Sequence, residues 1–260
     1  ILLHDIGHGP FSHALEYLFI DGVRHEEISL RMMEQINDEM EGALDLAIAI
    51  FTDRYPKHFL HQLVSSQLDM DRLDYLTRDS FFTGVSEGVV SWDRIIHMLD
   101  VRNDRLVVEE KGVYSLEKFI VARRLMYWQV YLHKTVLAAE FRIMQIMRRA
   151  RELAQKGANL FGTPDLLYFL KEAPGQTAFA NDPSVIKRFA KLDDHDLFSA
   201  IKVWSEHEDP ILSDLCDGLI HRKLNRVYLQ NEAFAPDALA RVAQAVQAHY
   251  QLLPGTLDYY

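Results

Sequence analysis

A histidine and an aspartate stand side by side at positions 4 and 5, and the surrounding stretch, LLHDIGHGPFSHALEYLF, holds three of the chain's twelve histidines. His25 follows in a His-Glu pair, so His4, His8, His13 and His25 all fall within the first 26 residues, together with Asp5, Glu16 and Glu26. An imidazole and a carboxylate carried by one turn of chain can converge on one cation. Such N/O ligation suits Zn, Fe, Mn, Ni or Mg without choosing among them. Ile1, Leu2 and Leu3 before the pair read as the apolar side of a helix that ends in polar groups. Gly7 and Gly9 bracket His8, which predicts a break there and puts Pro10 in the first turn of the next helix. Within that helix His13 and Glu16, three residues apart, share a face.

A second concentration of charge lies in SSQLDMDRLDYLTRDSFFTG, residues 65 to 84. At helical spacing Asp71, Asp74, Tyr75, Arg78 and Asp79 form one stripe. Leu73, Tyr75, Leu76, Phe81 and Phe82 accompany them, which predicts that both sides of the helix are partly buried. A buried carboxylate needs a cation or a hydrogen-bond network. A solvated helix face would instead gain only a few tenths of a kcal/mol per Asp/Arg pair.

The elements that must position these residues are mostly helical, because apolar residues recur at three- and four-residue intervals along most of the chain. Tyr114 to Gln155 contains neither proline nor glycine. That continuity predicts one long, largely buried helix with room for a bend. RLVVEE, then Lys-Gly, then VYS predicts a short β-hairpin around residues 105 to 115. KGANLFGTPD, residues 156 to 165, is the best candidate linker. We therefore expect a catalytic core over 1–155 and a helical C-terminal subdomain over 156–260. Trp92, Trp128 and Trp204 are expected to be packing residues.

Composition bounds the partners. The chain has 260 residues, 48% of them hydrophobic, and this is enough for a substantial core. A net charge of −10 argues against a constitutive nucleic-acid partner, although a pocket for a small phosphorylated molecule needs only a few local cations. No apolar run approaches the roughly 20 residues that span a bilayer, and the opening stretch is too interrupted for a signal peptide. No membrane association and a cytoplasmic location are expected. Cys216 is the single cysteine, so no internal disulfide can form, and it reads as a small buried side chain.

Together, LLHDIGHGPFSHALE with HEE, LDMDRLDYLTRD, ARRLMYWQVYLHK and KLDDHDLFSAI resemble the HD-domain deoxynucleoside triphosphate triphosphohydrolases over most of the chain. The resemblance implies a mainly α fold, an HD-domain helical bundle with a small β-hairpin and a helical C-terminal subdomain. It also implies a divalent metal ion held by His4, Asp5 and Asp71, with a further histidine ligand upstream of residue 1 in a chain that is incomplete at its N-terminus. His8 matches a histidine that contacts the reacting phosphate. His25 matches the catalytic histidine, and Glu16 the acid paired with it. His13, Arg72, Tyr75 and Asp79 match residues around sugar and phosphates, and Arg123, Tyr127, Tyr131 and Lys134 match positions lining the pocket on the long helix. Tyr127 and Leu132 depart in type from the best-known member, which has histidine and glutamine there. The implied reaction is hydrolysis of a deoxynucleoside triphosphate to deoxynucleoside and inorganic triphosphate, by a homo-oligomer of two or four chains. Hydrolysis of another phosphoester (a nucleoside monophosphate, cyclic nucleotide or guanosine polyphosphate) and inactive nucleotide binding are the alternatives.

Overall fold

The computed structural model describes residues 1–250 and 257–260. In chain order its α-helices begin with α1 (Glu16–Phe19), α2 (His25–Glu39), α3 (Asp45–Phe51), α4 (Phe59–Gln62), α5 (Met70–Thr83) and α6 (Trp92–His97). A two-stranded antiparallel hairpin follows, β1 (Leu99–Arg102) and β2 (Arg105–Val108), then α7 (Val113–Met126) and α8 (Lys134–Gln155). The chain continues through α9 (Pro164–Glu172), α10 (Gln176–Asn181), α11 (Pro183–Phe189), α12 (Asp194–Trp204), α13 (Pro210–Ile220) and α14 (Pro236–Tyr250). The fold is mainly α, as expected, and no helix among the described residues is long and apolar enough to cross a membrane.

Two compact units divide the chain: Ile1–His8 with Val23–Val136, and Gly9–Gly22 with Leu137–Tyr260. The division falls inside α8, and KGANLFGTPD lies within the second unit.

The first unit is organised around α5. Asp69 caps its N-terminus by accepting from the Arg72 N–H at 2.8 Å, and Gly84 ends it in the left-handed region at φ 72°. Leu73 and Leu76 pack with Val90, Ile95, Phe119, Ala122 and Met126 in a buried cluster. Gly88 lies so close to this layer that an added Cβ would come within 2.8 Å of Met126 Sδ. Phe81 and Phe82 stay outside it, 81% and 78% exposed, so the burial expected on both sides of this helix holds on one side only. The buried side of the last turn of α5 is taken by Ser80, whose hydroxyl donates to the Val85 carbonyl at 2.6 Å. Trp204 is buried in the second unit, Trp92 is about half exposed beside Met70, Leu73 and Ile96, and Trp128 is largely exposed and does not serve as a packing residue.

Two local readings of the sequence are corrected. The hairpin is real but begins earlier than expected, pairing Leu99 with Val108 and Arg102 with Arg105. Its two-residue turn is Asn103-Asp104, both left-handed at φ 51° and 59°, the conformation that suits the strand twist. Lys111-Gly112 instead belong to a 3₁₀ turn that leads into α7. The long helix is also interrupted. Over Tyr127–Tyr131 the hydrogen bonding widens to a π-helical turn, and the Leu132 N–H reaches the Tyr127 carbonyl at 2.8 Å.

In the second unit Phe19, Phe169 and Phe189 meet edge to face at centroid separations of 5.8 to 6.3 Å. Thr163, Asp182 and Asp209 each cap a helix that has proline in its first turn. Cys216 is buried as expected, and burial pushes its thiol up to about 12. Residues 9–22 join this unit partly through Phe11, whose N–H donates to Asp194 Oδ1 at 2.9 Å. Phe11 and Ser12 are left-handed at φ 56° and 49°, so Pro10 sits before this bend and not in the first turn of a helix.

Candidate active site

Residues 1–8 are a chain of hydrogen-bonded turns and not the end of an α-helix. The His4 N–H reaches the Ile1 carbonyl at 3.1 Å, and the His8 N–H reaches the Asp5 carbonyl at the same distance. The tight bonding three residues back turns the side chains of His4 and Asp5 to one side. His4 Nδ1 lies 2.6 Å from the Ile1 carbonyl oxygen. A carbonyl only accepts, so Nδ1 carries the hydrogen, and in the neutral ring Nε2 presents its lone pair.

That lone pair faces two carboxylates. His4 Nε2 lies 3.4 Å from Asp5 Oδ2 and 3.8 Å from Asp71 Oδ1, the latter brought in from the first turn of α5. The ligand atoms of these three residues all lie within 4.8 Å of one another. Burial pushes the Asp71 carboxyl up, and the charge of Asp5 pushes it further; His4 and Arg78 offset part of this. One imidazole nitrogen and two carboxylates whose ligand atoms converge in this way form a donor set that fits a divalent cation. The carbonyl bond behind His4 fixes its tautomer as a supporting hydrogen bond does for a metal-bound histidine.

Beside this set, His8 and His25 stack with ring centroids 4.0 Å apart and an interplanar angle of 15°. His25 opens α2, and its Nδ1 lies 3.6 Å from Glu26. Both rings are mostly shielded, with side chains 19% and 14% exposed. His13 and Glu16 belong to the second unit, where His13 Nδ1 faces Glu16 Oε2 at 3.6 Å.

Aromatic residues of α5 and the π-helical turn make a third group in the first unit. The Tyr131 hydroxyl donates to Asp79 Oδ2 at 2.7 Å, and its ring meets Tyr75 and Tyr127 edge on, at 6.0 and 5.1 Å. Burial, then the bond to Asp79, holds the Tyr131 phenol above its usual range. Burial does the same for Tyr75, so both remain protonated donors. Arg123 lies over the Tyr127 ring at 5.7 Å, and Lys134 is exposed at the start of α8. The guanidinium of Arg72 is engaged locally. It bonds Asp69 and donates to the Ser66 carbonyl at 2.6 Å, while its Nε is buried with no hydrogen-bond partner.

Two residues important to this geometry escape the sequence reading. Asp69 is 1% exposed and orders the start of α5. The only sequence signal for it is an Asp three residues before Arg72, in the position of an N-cap. Ser29 is fully buried on α2, where the sequence places it between two apolar residues, Ile28 and Leu30.

Comparison with known proteins gives the chain's relatives. Residues 90–161 match a family model described as the HD associated region. The crystal structure of a phosphohydrolase from Bacteroides thetaiotaomicron is similar over 100% of this chain and 64% of that one, with a TM-score of 0.95 and 52% identity. An uncharacterized protein of Bacillus subtilis is 34% identical over 230 residues, 86% of this chain and 51% of its own length. A Dictyostelium discoideum protein named as a homolog of the deoxynucleoside triphosphate triphosphohydrolase SAMHD1 is 30% identical over 167 residues, 57% of this chain and 32% of its own length. The chain thus spans about half the length, or less, of the curated relatives it matches.

Proposed function

We propose, from the premise that the chain is a member of the HD-domain family, that it is a metal-dependent phosphohydrolase acting on deoxynucleoside triphosphates. The products are the deoxynucleoside and inorganic triphosphate. The observation that carries the reading is the convergence of His4 Nε2 with the carboxylates of Asp5 and Asp71, beside the stacked His8 and His25. The Dictyostelium relative, named as a homolog of a deoxynucleoside triphosphate triphosphohydrolase, supports the substrate class.

His4, Asp5 and Asp71 would hold a divalent ion, which supplies Lewis acidity that makes water nucleophilic at neutral pH. The remaining chemistry belongs to the side chains. Water adds at the α-phosphorus, and the bond from that phosphorus to the 5′-oxygen breaks. His25 donates the proton that the departing 5′-oxygen requires. His8 hydrogen-bonds the α-phosphate as its charge grows. Tyr131, protonated and fixed by Asp79, and Tyr75 beside it present hydroxyls and ring edges to the sugar. Arg123 and Lys134 supply positive charge for the triphosphate, which a chain of net charge −10 must concentrate locally. His13, Glu16, Arg72 and Tyr127 keep, within the same proposal, the roles the resemblance implies. Homo-oligomerisation and a cytoplasmic location are carried in the same way.

The test is incubation of the full-length protein with each deoxynucleoside triphosphate and a divalent metal, with products separated by ion exchange. Inorganic triphosphate is the expected product. Orthophosphate released only from nucleoside monophosphates would overturn the substrate assignment.

A further inference from the structure

We propose that Ser29 is a positioning residue, and that together with Gly7 it locks the loop bearing His4, Asp5 and His8 onto the first turn of α2 and thereby sets the stack of His8 on His25. The inference rests on the phosphohydrolase reading for its kinetic consequence, though not for its geometry.

Gly7 is buried against α2, and its N–H donates to Ser29 Oγ at 2.9 Å. A Cβ on Gly7 would lie 2.2 Å from the His25 carbonyl oxygen, 2.3 Å from the Ser29 nitrogen and 2.8 Å from Ser29 Oγ. Two of those three atoms are backbone and cannot swing aside, so residue 7 must be glycine for the loop to approach this closely. The loop therefore meets the helix in its first turn, at the His25 carbonyl and Ser29. His8 follows Gly7 directly, and His25 owns the carbonyl that Gly7 touches. One contact thus references both rings to the same point.

The hydroxyl has a reason to be there beyond packing. Ser29 is fully buried among Ile28, Met32 and Met33, where an alanine would serve packing equally well. A buried hydroxyl is costly unless bonded, and the amide it accepts from would itself be unsatisfied without it. Shielded groups that act on a reacting phosphate are sensitive to slips well below the length of a bond to substrate.

The experiment compares S29A and the hydroxyl-retaining S29T with the wild type in the full-length protein. It measures turnover of the best deoxynucleoside triphosphate, the rise in Tm on adding Mn²⁺, and the His8–His25 arrangement in a crystal structure of S29A. In S29A, kcat is expected to fall about tenfold or more while KM stays within about twofold, the pattern of a lost transition-state arrangement. The Mn²⁺ response should survive, because the His4 ring is held by the Ile1 carbonyl and Asp71 comes from α5, neither of which touches Ser29. S29T should recover most of kcat, and the S29A crystal structure should show the two rings shifted from their stack. Wild-type kcat in S29A, an unshifted stack, or a loss of kcat that merely tracks Tm and the Mn²⁺ response would each overturn the proposal. If the wild type releases no triphosphate, the hydrolase reading fails alone, and the ring arrangement in S29A still decides the role of Ser29.

Discussion

Asp71 and Asp209 are both partly buried carboxylates on or just before the first turn of a helix, and their surroundings treat them in opposite ways. At Asp71 burial raises the carboxyl and Asp5 raises it further, and His4 and Arg78 fall short of compensating. At Asp209 burial also raises it, but two hydrogen bonds from Arg149, at 3.0 and 2.6 Å, and the Leu212 N–H at 2.9 Å outweigh burial and hold it below the usual range. Asp209 is a charge the fold completes by itself, serving as an N-cap and a bidentate partner. Asp71 is a charge the fold leaves in want of a cation, in the unit that also stacks two histidines. An incomplete electrostatic arrangement that persists in a folded protein points to a ligand, and a complete one points to stability.

The sharpest way to break this contrast is to remove each carboxylate's role in turn. Asp71→Ala should lower triphosphate release by more than about 10³-fold, the scale on which loss of a group acting as part of a unit registers. It should leave the thermal transition in metal-free buffer near that of the wild type. Full activity in this variant, or in His4→Ala, would remove the metal assignment. Arg149→Ala should do the reverse. It strands Asp209 with its side chain 13% exposed, and about 3 kcal/mol of stability should disappear in urea unfolding while kcat in the native range is kept. Divalent metal at about 100 times its Kd should stabilise the wild type by about 2.7 kcal/mol and Asp71→Ala not at all.

The pH dependence of stability follows from the same contrast. Because the folded state holds Asp209 below the ordinary value of 3.8, its contribution is fully present above that value. It is lost as pH falls through the depressed folded-state value. Wild-type stability should therefore drop below about pH 4 more steeply than that of an Arg149→Ala, Asp209→Asn double variant. Parallel acid profiles for the two proteins would show that the ion pair does not carry this effect.

How far the sequence disclosed all this depends on the range over which each feature is decided. The His4-Asp5 pair drew notice as a candidate ligand pair from residue type and spacing alone, whereas Asp71 was singled out among the acids of its helix only by the family resemblance. The helix starts at Pro164 and Pro210 announce themselves because cap and proline are adjacent in the chain. The hairpin was misplaced because Asn103-Asp104 adopts left-handed backbone without a glycine to mark it. The interruption after Met126 left no trace because tyrosine, tryptophan and valine are all compatible with helix, so nothing in residue type marks the widening. Phe81 and Phe82 read as core and are exposed, since the buried side of that turn is taken by the polar Ser80, which hydrophobicity does not reveal. Asp69 and Ser29 stayed hidden for the complementary reason. A polar residue is recognised as buried only once the amides it accepts from are in place.

The smallest expected effect tests whether Asp71 truly lacks a protein cation. Arg78 lies on the same helix and pairs with Asp74, with side chains 55% and 64% exposed. An exposed pair four residues apart on a helix is worth only a few tenths of a kcal/mol, because water screens the charges and two long side chains must be ordered. Arg78→Ala should therefore shift the urea midpoint by less than about 0.5 kcal/mol, with an unchanged m-value. It should also leave the stabilisation by divalent metal intact. A loss of about 2 kcal/mol or more, recovered on adding metal, would mean that Arg78 already neutralises the carboxylates at the start of α5. Asp71 would then be as complete within the fold as Asp209 is, and the distinction between the two regions would have to be drawn from the stacked histidines alone.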